Sequence, residues 1–489
     1  MLGIGSAIRN PIRRARLGKF LKAQTFIVAI VLVLCITLTP TAHALPVVGP
    51  NVDITVSSDS AERQQVEPSI AVDPHNPSII VAGAQDYRLL STGGHRWHGY
   101  YRSIDAGQSW SVMLLPGYPG DNSPQGLASP LHGVYSSISD PVLAFDRSGN
   151  VYYVGITAAG TFTSSSGFNL FVAKFVNDGA DYTFTTLLPS SLYNLADKPW
   201  ITVDTSGGPN DGTVYVTYDS FTARGGVNAG VALVRSTDGG VTYSLPLLAI
   251  RQGFFSGVTV DNQGRVFVSS LTPGRSSLSK NILVAVSTDA GQSFRGHEIA
   301  ANVSILPSAL PGNFFRVFTG PQIASDNHGV YMVWDDFGRG NSNVMFTEST
   351  DGGIAWASPL RVNDVTTGQH FFSTIAVSGG IISVAWYDSR LGESSNGFIF
   401  GLDVFYAEST DGGHSFSSNV RVTNVSFNPN IVERADFGAT FVFMGDYIQV
   451  AASPTAAHVI WADNRDACSN IDPFFGCTNQ DIFTSTITL

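Results

Sequence analysis

Ser103-Ile104-Asp105-Ala106-Gly107-Gln108-Ser109-Trp110 sets a pattern, Ser-x-Asp-x-Gly-x-x-aromatic, that returns from Ser236 to Tyr243, Ser287 to Phe294, Ser349 to Trp356 and Ser409 to Phe416. The last four copies follow one another at roughly 50–70 residues and the first lies 133 residues ahead of the second (236 − 103), which marks a repeat architecture built from short strands. The chemistry of the pattern is local. The Asp carboxylate accepts hydrogen bonds from amides of its own turn, the Gly adopts a conformation that side chains resist, and the aromatic fills a gap beside the next blade. Asp105, Asp238, Asp289, Asp351 and Asp411 are therefore read as structural residues.

A second repeat runs between the first. An apolar strand ends in Asp or a stand-in, turns, and is followed by another apolar strand. It occurs at Pro68–Asp73, Pro141–Asp146, Pro199–Asp204, Gly257–Asp261, Pro321–Asp326, Ser373–Ser378 and Tyr447–Ala452. Turns such as Asp146-Arg147-Ser148-Gly149-Asn150 suit tight hairpins. In the second unit the box has decayed to Asn177-Asp178-Gly179-Ala180-Asp181-Tyr182-Thr183-Phe184. The seventh unit ends at Leu489 with no residues left for a fourth strand. Val52-Asp53-Ile54-Thr55-Val56-Ser57 can supply it and close the ring, removing exposed sheet edges. The expectation is an all-β propeller of four-stranded antiparallel blades, seven rather than six.

Composition agrees with one closed body over residues 45–489. Charged residues are 13% of the 489, hydrophobic residues 43%, and there are 50 glycines, a globular, turn-rich profile. Residues 1–44 differ in kind. Six cations from Arg9 to Lys22 precede an apolar run, Phe26–Leu38, and Ala42-His43-Ala44 offers a small-x-small cleavage site, the build of a secretory signal. The apolar run falls short of the ~20 residues that span a bilayer, so no stable membrane span is expected. Removing the leader takes away six positive and no negative side chains, moving the formal charge from −11 to −17, which speaks against a nucleic-acid partner. The remaining cysteines, Cys468 and Cys477, suit a disulfide in a secreted chain.

Box and strand spacing together resemble the sialidase superfamily of Asp-box (BNR) repeat propellers, over residues 51–489. The resemblance implies action on glycans as an exo-sialidase-type glycoside hydrolase, with a non-catalytic propeller binding carbohydrate or protein at the cell surface as the alternative. It implies three arginines that grip a substrate carboxylate, a Tyr activated by a Glu, and an Asp acid/base. The first arginine of that family stands in an Arg-Ile-Pro motif; the matching stretch here is Val66-Glu67-Pro68-Ser69-Ile70, with Val66 at the arginine's place. Substitutes are sought on the face opposite the boxes. Asp-x-Arg closes the second strand of units one, six and seven, offering Arg88, Arg390 and Arg465, and three guanidinium groups could bind a carboxylate bidentately. The alternative is that each pairs with its own Asp86, Asp388 or Asp463.

Starts of the first strands line the central funnel and contribute Glu67, Asp140, Asp197, Lys198 and His370 as candidate binding groups. Asp446, Tyr447 and Glu433 form the nearest match to a catalytic set. These carboxylates could instead hold a Ca²⁺ through hard oxygen ligands, although the reading requires no cofactor. Trp97 and Tyr100 are candidates for stacking on a sugar; Trp200, Trp334, Trp386 and Trp461 fall within strands and read as core. A glycan partner and a monomer complete the expectation.

Overall fold

In a computed structural model the protein is described over residues 45–489, apart from 56–63, 90–95, 159–168, 190–194, 222–226, 277–278, 432–441, 467–470, 473–475 and 478. Seven sheets of four antiparallel strands follow one another along the chain. Their first strands are Gln65–Val72, Ser137–Phe145, Leu195–Val203, Phe254–Val260, Gln322–Ser325, His370–Ser378 and Gln449–Ser453, which define blades one to seven. Each first strand touches that of the next blade, and the seventh touches the first, so these strands surround a common axis. This is a seven-bladed β-propeller.

Closure happens as the sequence suggests, but starts earlier. Val47 and Val48 pair with Thr488 and Ile487, and Val52 and Asp53 pair with Thr484 and Phe483, in the outermost position of blade seven. The Ile54 amide then donates to Ile482 O at 3.0 Å. Gly49-Pro50-Asn51 interrupts this strand, and Asn51 ties it to blade six, donating to Val422 O at 2.8 Å and accepting from the Asn424 amide at 2.8 Å.

The apolar interior is divided rather than central. Seven clusters of buried side chains each lie between two adjacent blades, such as Ile70, Ile80, Ile460 and Ile482 between blades one and seven. Alternating apolar residues on both faces of every blade make this inevitable, because each sheet must be covered on two sides. Trp334, Trp386 and Trp461 are buried here as expected.

The boxes do what their chemistry dictates. In each, the Ser hydroxyl donates to the Asp and accepts from the Gly amide, as in Ser409 Oγ to Asp411 Oδ1 at 2.8 Å and Gly413 N to Ser409 Oγ at 2.8 Å. The box aromatics do not reach the next blade but pack on the preceding one, Phe416 against Phe346 of blade five at 5.1 Å. The box Gly faces the same neighbour. Gly413 has φ 92°, and a Cβ there would lie 2.3 Å from Phe346.

Two stability predictions come from this packing. Ile54→Ala should cost about 2–5 kcal/mol by leaving a cavity in the closing seam, read by chemical denaturation. Gly413→Ala should cost about 1–3 kcal/mol from strain and overlap together. Gly120→Ala, also left-handed with φ 89° but facing open space, should lower the denaturation midpoint less.

Candidate functional site

Five first strands begin with a β-bulge, where the pairing register slips. At each slip one residue takes a left-handed conformation: Glu67 (φ 55°), Asp140 (57°), Lys198 (48°), Phe255 (59°) and Phe372 (53°). Non-glycine residues resist this region at a cost of roughly 1–3 kcal/mol each, and such strain persists where the surroundings enforce it. The enforcement is visible. Asp219 accepts the Phe255 amide at 2.9 Å, and Asp335 accepts those of Phe372 and Ser373 at 2.8 and 3.2 Å. Pro68, Pro141 and Pro199 follow three of the bulges, where an absent N–H costs no ladder bond.

The bulges bring charges of four blades together. Lys198 Nζ of blade three donates to Asp446 Oδ2, which enters blade seven. The same ammonium lies 3.8 Å from Glu67 Oε1 and 3.6 Å from Asp140 Oδ2. Asp446 is gripped from its other side by Arg316, whose Nη2 reaches both oxygens at 2.7 and 2.6 Å and whose Nε reaches Oδ1 at 3.0 Å. Gly445, at φ 83°, precedes it with Glu67 N only 2.8 Å from where a Cβ would stand. A side chain there would separate the two carboxyls.

Arg316 was not foreseen. It sits on the long connection from Ser304 to Gln322 between blades four and five, which crosses to meet the connection entering blade seven: Arg316 N donates to Val442 O at 3.2 Å, and Val442 N to Phe314 O at 2.9 Å. The available signal was length, since loops beyond ~12–15 residues are usually functional. Phe318 and Phe443 arrive the same way and flank the Arg316 guanidinium at 4.8 and 4.7 Å.

Together these residues floor a cavity of about 360 Å³ lined also by Arg96, Asp197, Phe221 and Phe254. It opens on the face opposite the boxes, as the topology led one to expect. Its carboxyls are unlike one another. Burial raises the Glu67 pKa well above the ordinary value, the Asp140 charge adds to this, and Lys198 opposes it. Burial and the Asp140 charge push Asp197 up to about 6. Burial acts upward on Asp446 too, but Lys198 and Arg316 outweigh it and hold its pKa below the usual carboxylate range. Lys198, despite its burial, is held protonated by Asp140, Asp446 and Glu67. Among the described residues no group of three or more His, Cys, Asp or Glu is arranged to hold a metal; the gap between the funnel carboxylates is filled by Lys198 Nζ.

Other expected site residues lie elsewhere. Arg88, Arg390 and Arg465 each turn onto the aspartate two residues before them, with Nε to carboxylate distances of 2.9, 2.9 and 3.0 Å. Arg390 also bonds Asp364 and stacks on Phe405 at 4.1 Å, and Arg465 bonds Asn424 and stacks on Phe483 at 4.2 Å. The planar guanidinium groups of Arg390 and Arg465 find both a fork partner and an aromatic face on their own blades, which satisfies them without a ligand. His370 is fully buried against Asp388 at 2.8 Å. Tyr447 borders the funnel, but its hydroxyl meets Pro141 O at 3.4 Å, and burial with the nearby Glu67 and Asp140 charges raises its pKa well above the ordinary value, the reverse of an activated phenolate. Trp97 and Tyr100 are buried, Trp97 donating to Leu115 O and Tyr100 stacking on Phe175, while Trp200 is half-buried, packs against the apolar clusters on both sides of blade three and meets Tyr447 edge-on at 6.2 Å. Glu433, Cys468, the Cys477 side chain and the leader lie outside the described residues. No helix among the described residues is long and apolar enough to cross a membrane.

No protein-family model and no curated protein matches the chain. Among solved structures it is similar to a lectin from Burkholderia pseudomallei (13% identity, 82% of this chain and 93% of that one, TM-score 0.49). It is also similar to a Hadza microbial sialidase (13%, 79% and 76%, 0.45) and to a leech intramolecular trans-sialidase (12%, 69% and 67%, 0.44). None of these bears on the funnel chemistry, which rests on the distances above.

The charge cluster makes stability depend on pH with a definite sign. Carboxyls whose folded pKa is raised contribute stability that is complete below their unfolded value and is lost as pH rises through the folded one. Glu67 and Asp197 should therefore contribute a loss of stability as pH rises from the ordinary carboxylate range through about 6, where Asp197 titrates, and Glu67→Gln should reduce that part of the slope of the denaturation midpoint. Asp446→Asn takes the paired carboxylate from the half-buried Arg316 and leaves Lys198 only Glu67 and Asp140, and should destabilise by about 1–3 kcal/mol, measured by urea denaturation at pH 7.

Proposed function

We propose that the protein is an exported carbohydrate-active propeller that seats a sugar ring in the funnel and hydrolyses its glycosidic bond. Glu67 is the proton donor to the leaving oxygen, and Asp446 is the carboxylate facing the positive charge that develops on the sugar. One observation carries this reading: two carboxyls beside the same lysine have pKa values driven in opposite directions, the division of labour that glycoside cleavage by an acid and a carboxylate needs. Phe221, Phe254, Phe318 and Phe443 supply apolar walls for a sugar face beside this charge.

Exo-sialidase action is the narrower form, in which the sugar carries a carboxylate. Arg316 and Arg96 in the cavity support it; the engagement of Arg88, Arg390 and Arg465 on their own blades weighs against the three-arginine grip that the sialidase resemblance implies. A non-catalytic glycan-binding role is favoured by one feature, the double grip of Arg316 and Lys198 on Asp446, which leaves that carboxylate few free lone pairs.

The test is a panel of 4-methylumbelliferyl glycosides, sialoside included, on residues 45–489. Expected is turnover of at least one glycoside, with Glu67→Gln lowering kcat/KM by about 10²–10⁴ and wild-type activity lost as pH rises through the Glu67 pKa. Absence of turnover with calorimetric binding retained selects the non-catalytic role, and absence of both on a glycan array discards the carbohydrate reading.

A further inference from the structure

A second cavity, of about 570 Å³, lies beside the first, between blade four and the Ser304–Gln322 connection. The two share Phe254 and Phe318. Across those rings the chemistry changes. The first cavity carries Glu67, Asp140, Lys198 and Arg316, whereas Val227, Leu271, Pro273 and Ile305 line the second, with Lys280 as its one charge among the described residues.

The divide is built from backbone strain. Phe254 and Phe255 meet edge to face at 4.5 Å, and Phe255 meets Phe318 at 5.2 Å, while Phe221 joins Phe254 at 6.4 Å from the charged side. Phe255 occupies the left-handed bulge position that holds Glu67, Asp140 and Lys198 in blades one to three. A β-unbranched aromatic in that conformation is unfavourable, and Asp219 fixes it through the Phe255 amide. Blade four thus turns a ring, not a charge, toward the axis, and the rail Phe221–Phe254–Phe255–Phe318 runs from one cavity into the other.

We infer that the two cavities are one site for an amphipathic glycoside, the sugar over the charged floor and an alkyl or acyl aglycone in the second cavity. The inference rests on the carbohydrate reading of the funnel and adds to it the substrate class. The occupant of the second lobe is argued from continuity: a group leaving a sugar over Glu67 meets the shared Phe254 and Phe318 rings, and beyond them walls whose apolar residues are interrupted by Asn228, Gln252, Thr272, Ser308 and Thr319 but carry a single charge, Lys280, among the described residues. Burying several methylenes there gains affinity that a methyl aglycone lacks.

Isothermal titration of residues 45–489 with methyl and n-octyl glycosides of one panel of sugars, N-acetylneuraminic acid among them, tests this. Expected is at least a ten-fold tighter Kd for the octyl member of the best-bound sugar, and Val227→Asp should bring the octyl-to-methyl ratio close to one. Val227 is 62% exposed, so this variant should fold, as a melting curve would verify. Lys280→Glu serves as a second variant and should reduce the ratio less.

Sugar-dependent binding with equal octyl and methyl affinities overturns the inference and leaves the carbohydrate reading intact. Octyl binding that is indifferent to the sugar and to Arg316→Ala overturns both, because the apolar lobe would then act alone. Octyl preference that survives Val227→Asp in a folded variant also overturns the assignment of the chain to this cavity.

Discussion

Backbone pairing between the segment from Val47 to Ile54 and the strand Asp481–Thr488 is the constraint on which the rest depends. It joins the two ends of a seven-blade chain, leaving blade seven its fourth strand and blades one and seven their shared apolar seam. Without it the last sheet has an open edge, and the six remaining inter-blade clusters become a row with two uncovered ends. A row has no axis. Only in the ring do the starts of blades one, two, three and seven point at one another, so the position of Lys198 among Glu67, Asp140 and Asp446 is a consequence of the seam.

The funnel trades stability for chemistry. A lysine and several carboxyls sit in a poorly solvated place, and the left-handed bulges that aim them are themselves unfavourable. Buried ion pairs seldom repay the loss of water. What compensates is distributed: the Asp219 and Asp335 carboxylates hold the bulges through backbone amides, and two connections brace each other across the face between Phe314 and Val442. That brace delivers Arg316, without which Asp446 would face Lys198 alone.

Much of the fold was legible because its signals are local and repeated. A box such as Ser409–Phe416 closes its hydrogen bonds within eight residues, so its role follows from its own sequence wherever it stands. Blade number and the direction of closure followed from counting such units. The side to which the box aromatics turn did not follow, since it depends on how one blade leans on its neighbour. Phe416 rests on Phe346 of the preceding blade.

For the site the division is sharper. Glu67, Asp140, Lys198 and Asp446 could be named because each stands at the start of a recognisable first strand, and strand starts surround the axis of any propeller. Arg316, Phe318 and Phe443 could not, because they come from irregular connections whose path is set by contacts with residues about 130 positions away in sequence. The Asp-x-Arg arginines misled for a related reason: guanidinium groups look alike in sequence, but Arg390 and Arg465 find carboxylates and aromatic faces close at hand. By itself the sequence determined what hydrogen bonds and apolar periodicity settle over short distances, namely strands, turns, blade count and the ring. Tertiary structure alone decided which charges meet, and with them the pKa shifts of Glu67, Asp197 and Asp446, because electrostatic energy depends on separations and burial that no stretch of chain specifies on its own.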